Sequence, residues 1–243
     1  MQRILAIGGG GFQVEGERSP IDAYILQLTG KSKPRICLVA TMSGDLPEYI
    51  EKFYSAFPSS DCKPSHLAFF FRDPRPGAVA LGALKKHILG QDVIFVSGGS
   101  ARAALAVWRE WQVDRVFAEA HHAGVLLSGA SSGAMCWFAS GLTDTYWEPG
   151  YRPLTCLGLI PGGCRVHYDD GVAPRQRLHA ALLARAVPAT TAIDDHAAVL
   201  FQGDAVERVI SWKYGSSAYR VFVEDERVQE IAYRSEFIGH AGI

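Results

Sequence analysis

The sequence predicts an α/β protein with three layers, a mostly parallel sheet covered by helices on both faces, and three observations carry that reading. Short apolar runs each open into a turn of small residues. They are Arg3–Ile7 before Gly8-Gly9-Gly10-Gly11, Arg35–Ala40 before Thr41-Met42-Ser43-Gly44, Asp92–Val96 before Ser97-Gly98-Gly99-Ser100, and Val125–Ser128 before Gly129. Helix-compatible stretches alternate with these runs through residue 140, the pattern of successive βαβ units. After residue 187 the texture changes to short strand-like runs joined by small polar turns. Ala198–Gln202, Ala205–Ile210, Ala218–Val223 and Val228–Tyr233 read as antiparallel hairpins near the C-terminus, on the edge of the same domain. No linker, repeat or low-complexity tract divides the chain, so residues 1–243 are read as one domain.

The intervening elements follow from local signals. Ser19 as N-cap, Pro20 at the first helical position and Gly30 beyond Leu28-Thr29 bracket a helix. Further helices are expected over Pro47–Phe57, Ala78–Ile88, Ala101–Trp111 and Val113–His121, and a strand over Ser65–Phe71. The glycine run after Ile7 is a poor dinucleotide fingerprint, because the next helix starts late and no acidic residue closes an obvious second strand.

Composition removes several classes of function. Lys and Arg total 24 against 25 Asp and Glu, with no basic run, so neither a nucleic-acid groove nor an anionic membrane surface is expected as partner. No apolar run reaches membrane-spanning length, and the start of the chain reads as a strand rather than a signal peptide. The five cysteines are an odd number without Cys-x-x-Cys spacing, which suits reduced thiols in the cytoplasm. Cys37 and Cys136 lie in apolar runs and are expected in the core.

The stretch with most chemical content is Val125-Leu126-Leu127-Ser128-Gly129-Ala130-Ser131-Ser132-Gly133-Ala134-Met135-Cys136-Trp137-Phe138. A buried strand followed by Gly-x-Ser-x-Gly and a helix-compatible run is a nucleophile elbow. The strained central turn lifts Ser131 out of the sheet toward the free N–H groups of the helix start. The alternative is a tight glycine turn with Ser131 as an ordinary N-cap. The turns after Ile7, Val96 and Ser128 would share the carboxyl edge of a parallel sheet, where ligands bind.

A nucleophilic serine needs a base, a group orienting that base, and donors for the oxyanion. Of eight histidines, His121 and His122 close a helix, where a cation suits the dipole. His66, His87 and His179 fall in or beside elements, and His240 lies in a tail. His167 stands out as a loop histidine between a glycine-broken apolar segment, Leu157–Val166, and Tyr168-Asp169-Asp170. Asp194 and Asp195, at a strand end beside His196, and Asp144 are candidates for the orienting acid. Elbow geometry supplies the Ser132 N–H as one oxyanion donor, and Gly98 or Gly99 would supply the second.

These residues together resemble the serine peptidase family of dipeptidase E (aspartyl dipeptidase) and cyanophycinase, and within it the bacterial dipeptidase E-like branch. The similarity runs over nearly the whole chain. It covers Gly8-Gly9-Gly10-Gly11-Phe12, Phe95–Ser100, the elbow with Cys136-Trp137-Phe138, Thr143-Asp144, Cys156–Leu159, His167-Tyr168-Asp169, Ile193-Asp194-Asp195 and Ser217-Ala218-Tyr219-Arg220. The resemblance implies a sheet like that of class I glutamine amidotransferases, a flavodoxin-like arrangement. It also implies Ser131 as nucleophile, His167 as base and Asp195 as the best match for the acid, with Asp194 one residue away and Asp144 a further carboxylate considered for that role. The order Ser, His, Asp differs from that of the α/β-hydrolases, so the shared elbow would be convergent. The family's usual Ser-Ala-Gly is Ser131-Ser132-Gly133 here, its Asn after the glycine turn is Ser100, and its Pro before the histidine is Val166. Position 100 lies near the substrate in relatives. By the same resemblance Arg175 or Arg177 would hold a substrate carboxylate, a task suited to a bidentate guanidinium, although both also read as solvated residues of a helix start.

The activity so implied is that of a serine exopeptidase acting on dipeptides or short peptides, with an N-terminal acidic residue, and needing no metal or organic cofactor. Its rivals are β-aspartyl hydrolysis in the cyanophycinase manner, a non-catalytic peptide-binding relative, and a thiol enzyme using Cys136 or Cys164. A homodimer enters only by analogy with proteins of this sheet type.

Overall fold

Side chains on the first strand, β1 (Arg3–Ile7), alternate between two cores: Ile4 and Ala6 enter one, Leu5 and Ile7 the other. Burial on both faces is why the run is apolar throughout rather than alternating. The structure is a computed structural model describing residues 2–16, 18–71, 73–146 and 150–239. From β1 the chain runs through α1 (Phe12–Glu15), α2 (Pro20–Gln27), β2 (Arg35–Val39), α3 (Pro47–Ala56), β3 (Lys63–Leu67), α4 (Leu84–Leu89), β4 (Val93–Val96), α5 (Ala101–Glu110), α6 (Val113–His122), β5 (Leu126–Ala130) and α7 (Ser132–Met135). It continues as β6 (Phe138–Thr143), β7 (Arg152–Thr155), β8 (Ile160–Arg165), α8 (Ala173–Leu183), β9 (Thr190–Ile193), β10 (Ala197–Gln202), β11 (Ala205–Ser211), β12 (Ala218–Glu224), β13 (Arg227–Ala232) and β14 (Ser235–Phe237).

An eight-stranded sheet has the order β14-β11-β10-β1-β5-β4-β2-β3, and its five strands from β1 to β3 are parallel. Ile7 pairs with Ala130 and Val96 with Gly129. Gly8, Ser97 and Ser131 therefore leave the sheet side by side at its carboxyl edge. On one face Trp108, Phe117 and Trp137 pack edge to face with centroids 5.2 and 5.4 Å apart. On the other, Phe12 meets Phe53, Phe57 and Phe95 at 5.9, 5.6 and 5.2 Å.

The runs Ala198–Gln202 and Ala205–Ile210 form the expected antiparallel hairpin, β10 with β11, and β10 lies beside β1 in the main sheet. The chain departs from the expected single sheet in two places. The strand-like runs that become β12 and β13 belong to a second, six-stranded sheet, β13-β12-β9-β8-β6-β7, whose core with α8 is built from Leu142, Tyr168, Leu178, Leu182, Ala192 and Val221. The elbow helix lasts a single turn, after which Phe138–Thr143 extends as β6 to begin that sheet. A short apolar run cannot by itself separate helix from buried strand. The expected helix over Ala78–Ile88 likewise shrinks to α4, because Ala78 bridges to His66 at the sheet edge and one tight turn, Leu81–Ala83, follows. The start of α2 is as expected, with the Ser19 N–H donating to Asp22 Oδ2 at 2.9 Å. Among the described residues no helix is long and apolar enough to cross a membrane.

Phe12 is 1% exposed and anchors the four-residue α1, which is too short to hold its shape alone. Phe12→Ala is expected to lower unfolding free energy by about 3 kcal/mol, measured by urea denaturation.

Candidate active site

The elbow is built by close approach of backbones. A Cβ at Gly129 would strike the Gly133 carbonyl, and one at Gly133 would strike the Val96 carbonyl. Between them Ser131 sits at φ 58°, ψ −127°, a conformation that L-residues rarely adopt and that costs on the order of 1–3 kcal/mol. His167, in the loop after β8, is also left-handed, at φ 52°. These two strained side chains meet: Ser131 Oγ lies 2.6 Å from His167 Nε2. On the far side of the ring, His167 Nδ1 lies 2.5 Å from Asp195 Oδ1. With Nδ1 protonated toward the carboxylate, Nε2 is left to accept the Ser131 hydroxyl proton.

Three elements fix this line. The Ser131 N–H donates to the Ile7 carbonyl at 2.9 Å, and the Tyr168 N–H to the Ile193 carbonyl at 3.2 Å. Asp195 is steadied by its own N–H, which donates to Asp169 Oδ1 at 2.7 Å. The glycine run after β1 passes directly beneath: a Cβ on Gly9 would land on Asp195 Oδ1 and lie 2.8 Å from His167 Cε1. Its smallness is a demand of the site rather than of a nucleotide.

The two neighbouring aspartates are electrostatically opposite. Burial pushes Asp195 up, but the hydrogen bond and charge of His167 outweigh it and hold the carboxyl below its ordinary value. Burial raises Asp194, whose Oδ2 accepts from the Ser217 N–H at 3.0 Å and the Tyr219 hydroxyl at 3.2 Å. Asp194 thus ties β9 to β12, whereas Asp195 faces the imidazole. Asp144 is exposed past the end of β6.

Comparison with known proteins shows the family to which the chain belongs. The model of peptidase family S51 matches residues 4–209. The chain belongs to peptidase family S51. Over 239 residues it is 37% identical to the uncharacterized peptidase YgaJ of Bacillus subtilis (strain 168), covering 98% of this chain and 100% of that one. Its fold is similar to that of a crystallised peptidase from an acI-B1 Actinobacterium, with a TM-score of 0.69, 14% identity and coverage of 96% of this chain and 97% of that one. It is also similar to a protein of Listeria monocytogenes EGD-e whose name refers it to peptidase E, with a TM-score of 0.62, 16% identity and coverage of 88% and 100%.

In this S51 peptidase the remaining sequence candidates fall in varied places. The Ser132 N–H, at the first position of α7, has no intrahelical acceptor. Of the glycine pair, Gly98 donates its N–H to Gln13 Oε1 at 2.8 Å, while nothing among the described residues accepts the Gly99 N–H. Ser100 caps α5, its Oγ accepting the Ala103 N–H at 3.3 Å. Arg175 is ion-paired with Glu230 of β13 and lies over the rings of Tyr168 and Tyr219, at 4.4 and 5.0 Å. Arg177 lies 4.8 Å over the ring of Tyr151.

All five cysteines are unpaired and buried. Burial drives the thiols of Cys136 and Cys164 well above their ordinary value, so neither supplies a thiolate at neutral pH. His121, expected as a helix-end cation, is buried and its pKa is lowered by that burial, so it serves as a neutral core residue. His66 is enclosed between Tyr54 and Asp73. His240 lies outside the described residues. Sequence reasoning passed over Gln13 and gave Asp169 no task. Asp169 could have been found from its place two residues after His167, whereas Gln13 carries no signal beyond following the glycine run.

Proposed function

We propose that this chain is a serine exopeptidase that hydrolyses dipeptides or short peptides through Ser131, His167 and Asp195. The observation carrying the proposal is the unbroken line from Ser131 Oγ through both ring nitrogens of His167 to Asp195, at 2.6 and 2.5 Å. Ser131 Oγ attacks the scissile carbonyl carbon as His167 Nε2 takes its proton, and the ionised Asp195 stabilises the imidazolium and holds its tautomer. The oxyanion is met by the N–H groups of Ser132 and Gly99. His167 gives the proton to the leaving amine as the C–N bond breaks. A water, deprotonated by His167, then releases the acyl group from Ser131.

The preferred side chain is read less directly. An N-terminal acidic residue would present its carboxylate to Arg175, which requires exchange for Glu230. Ser100 is the residue beside the oxyanion turn that would line the same pocket. Five unpaired cysteines suit action in the cytoplasm.

The test has two parts. A fluorophosphonate probe is expected to form one adduct, mapped by peptide mass spectrometry to Ser131 and lost in His167→Ala. Absence of the adduct in folded protein sinks the assignment. Competition among α-aspartyl, β-aspartyl and neutral dipeptides sharing one C-terminal residue then reads the specificity. The α-aspartyl peptide is expected to have the highest kcat/KM, and preference for the β-linked peptide would replace this reading with the isopeptidase one.

A further inference from the structure

The glycine turn after β4 brings Gly98 close to Ser131, and an oxyanion formed there needs a backbone N–H of the turn held in a fixed direction. Glycine pairs do not hold a direction by themselves, because both residues reach conformations closed to others. Here Gly99 has φ 132°, and a Cβ on Gly98 would stand 3.2 Å from Ser131 Cβ. Something outside the turn must set the orientation of its peptide planes.

On the carboxyl side that anchor is backbone, since the Ser100 N–H donates to the Met42 carbonyl at 2.8 Å. On the amino side it is a side chain remote in sequence. Gln13 is only 8% exposed, and its Oε1 accepts the Gly98 N–H at 2.8 Å. The same oxygen lies 3.4 Å from the position a Gly98 Cβ would take, so Gln13 and Ser131 border one face of this glycine. Gln13 Nε2 is buried with no partner, so the Gly98 N–H is the hydrogen bond that orients the amide. A buried amide with one polar anchor is held in place by that anchor and by its own helix.

The helix carrying Gln13 is itself fastened on three sides. Lys52 Nζ donates to the Gln13 carbonyl at 3.3 Å. Glu15 Oε1 accepts from Trp212 Nε1 at 2.8 Å and from the Gly11 N–H at 3.1 Å. Phe12 is sealed among three phenylalanines. A four-residue helix with this many ties is built to present one side chain rigidly.

We propose that Gln13 is a positioning residue of the oxyanion hole. By engaging the Gly98 N–H it fixes the Ser97–Gly98 peptide, and with it the start of the turn, so that the Gly99 N–H of the next peptide is left to face the tetrahedral intermediate. This deepens the Ser131 reading and rests on it. Gln13 acts through the turn and does not touch the reacting atoms. Removing its acceptor frees the turn to rotate, which weakens transition-state binding and leaves ground-state binding nearly unchanged.

The test compares fluorophosphonate labelling rates and steady-state kinetics of wild type, Gln13→Met, Gln13→Asn and Gln13→Glu. Gln13→Met keeps the length and removes the acceptor. It is expected to slow Ser131 labelling and lower kcat by about 10–100-fold, with KM within about twofold and the pH profile unchanged, since His167 is untouched. Gln13→Glu keeps an acceptor at the same reach and is expected to recover most of that rate. Should Gln13→Met fail to fold, Gln13→Asn carries the test: one methylene shorter, it is expected to slow labelling as well. An undiminished rate in folded Gln13→Met or Gln13→Asn, or a raised KM at constant kcat, overturns the proposal. If wild type itself takes no label, the Ser131 reading has failed instead, so the two failures are distinguishable.

Discussion

Ser131→Ala is expected to lose turnover by roughly 10⁴–10⁶-fold while unfolding at the same urea concentration as wild type. In the proposed mechanism Oγ is the atom that forms the covalent bond, and no neighbouring group replaces it. The Ser132 hydroxyl is one residue round the elbow, and the five thiols are buried. Folding is indifferent because the hydroxyl is a terminal atom. The energetic burden at this position is backbone strain at φ 58°, which alanine inherits unchanged. His167→Ala is expected to fall as far, and the double variant hardly further, because the residues act as one unit. A Ser131→Ala variant that still turned over peptide would move the chemistry elsewhere.

The second large effect separates two adjacent carboxylates. Asp195→Asn is expected to lower kcat by roughly 10²–10⁴-fold, because an amide N–H facing Nδ1 selects the tautomer that leaves Nε2 protonated and unable to accept from Ser131. Asp194→Asn is expected to stay within a few-fold of wild type. The Asp194 carboxyl is raised by burial, and an amide oxygen can accept the same Ser217 and Tyr219 hydrogen bonds. Steady-state kinetics on both variants reads the contrast, and equal losses would show that position 194 is no mere tie. Asp195 also marks a pH window. Its folded value lies below the ordinary carboxylate value, so the stability it contributes is complete above that ordinary value and is lost as pH falls through the lower one. Asp195→Asn removes that acid-side loss, which urea melts at graded pH would detect.

The parallel half of the fold was legible because burial on both faces leaves continuous apolar runs, as in Ile36–Val39 and Val93–Val96. The second sheet was not, for a physical reason. Its strands include Arg-Pro-Leu-Thr at 152–155 and Ile-Pro-Gly-Gly-Cys-Arg at 160–165, where exposure and close approach favour residues that normally signal loops. Ser131 and His167 were readable from local context, whereas Asp194, Asp195 and Asp144 were left open by it and only the family resemblance favoured Asp195. His167 lies within hydrogen-bond distance of both Ser131 and Asp195. What could not be read were the long-range partners. Glu230 is 55 residues from Arg175, and Gln13 is 85 from Gly98, with no periodicity or motif linking either pair.

The passage from β9 to β10 is only Asp194-Asp195-His196, and it carries the chain from one sheet into the other. Ser131 thus leaves the first sheet, while His167 follows a strand of the second and Asp195 lies at the crossing. During synthesis the hydroxyl emerges well ahead of the imidazole and the carboxylate. A nascent chain, or one whose sheets have come apart, holds a serine with no base beside it. Under the proposed mechanism such a chain has no activated nucleophile, so activity and completed assembly arrive together.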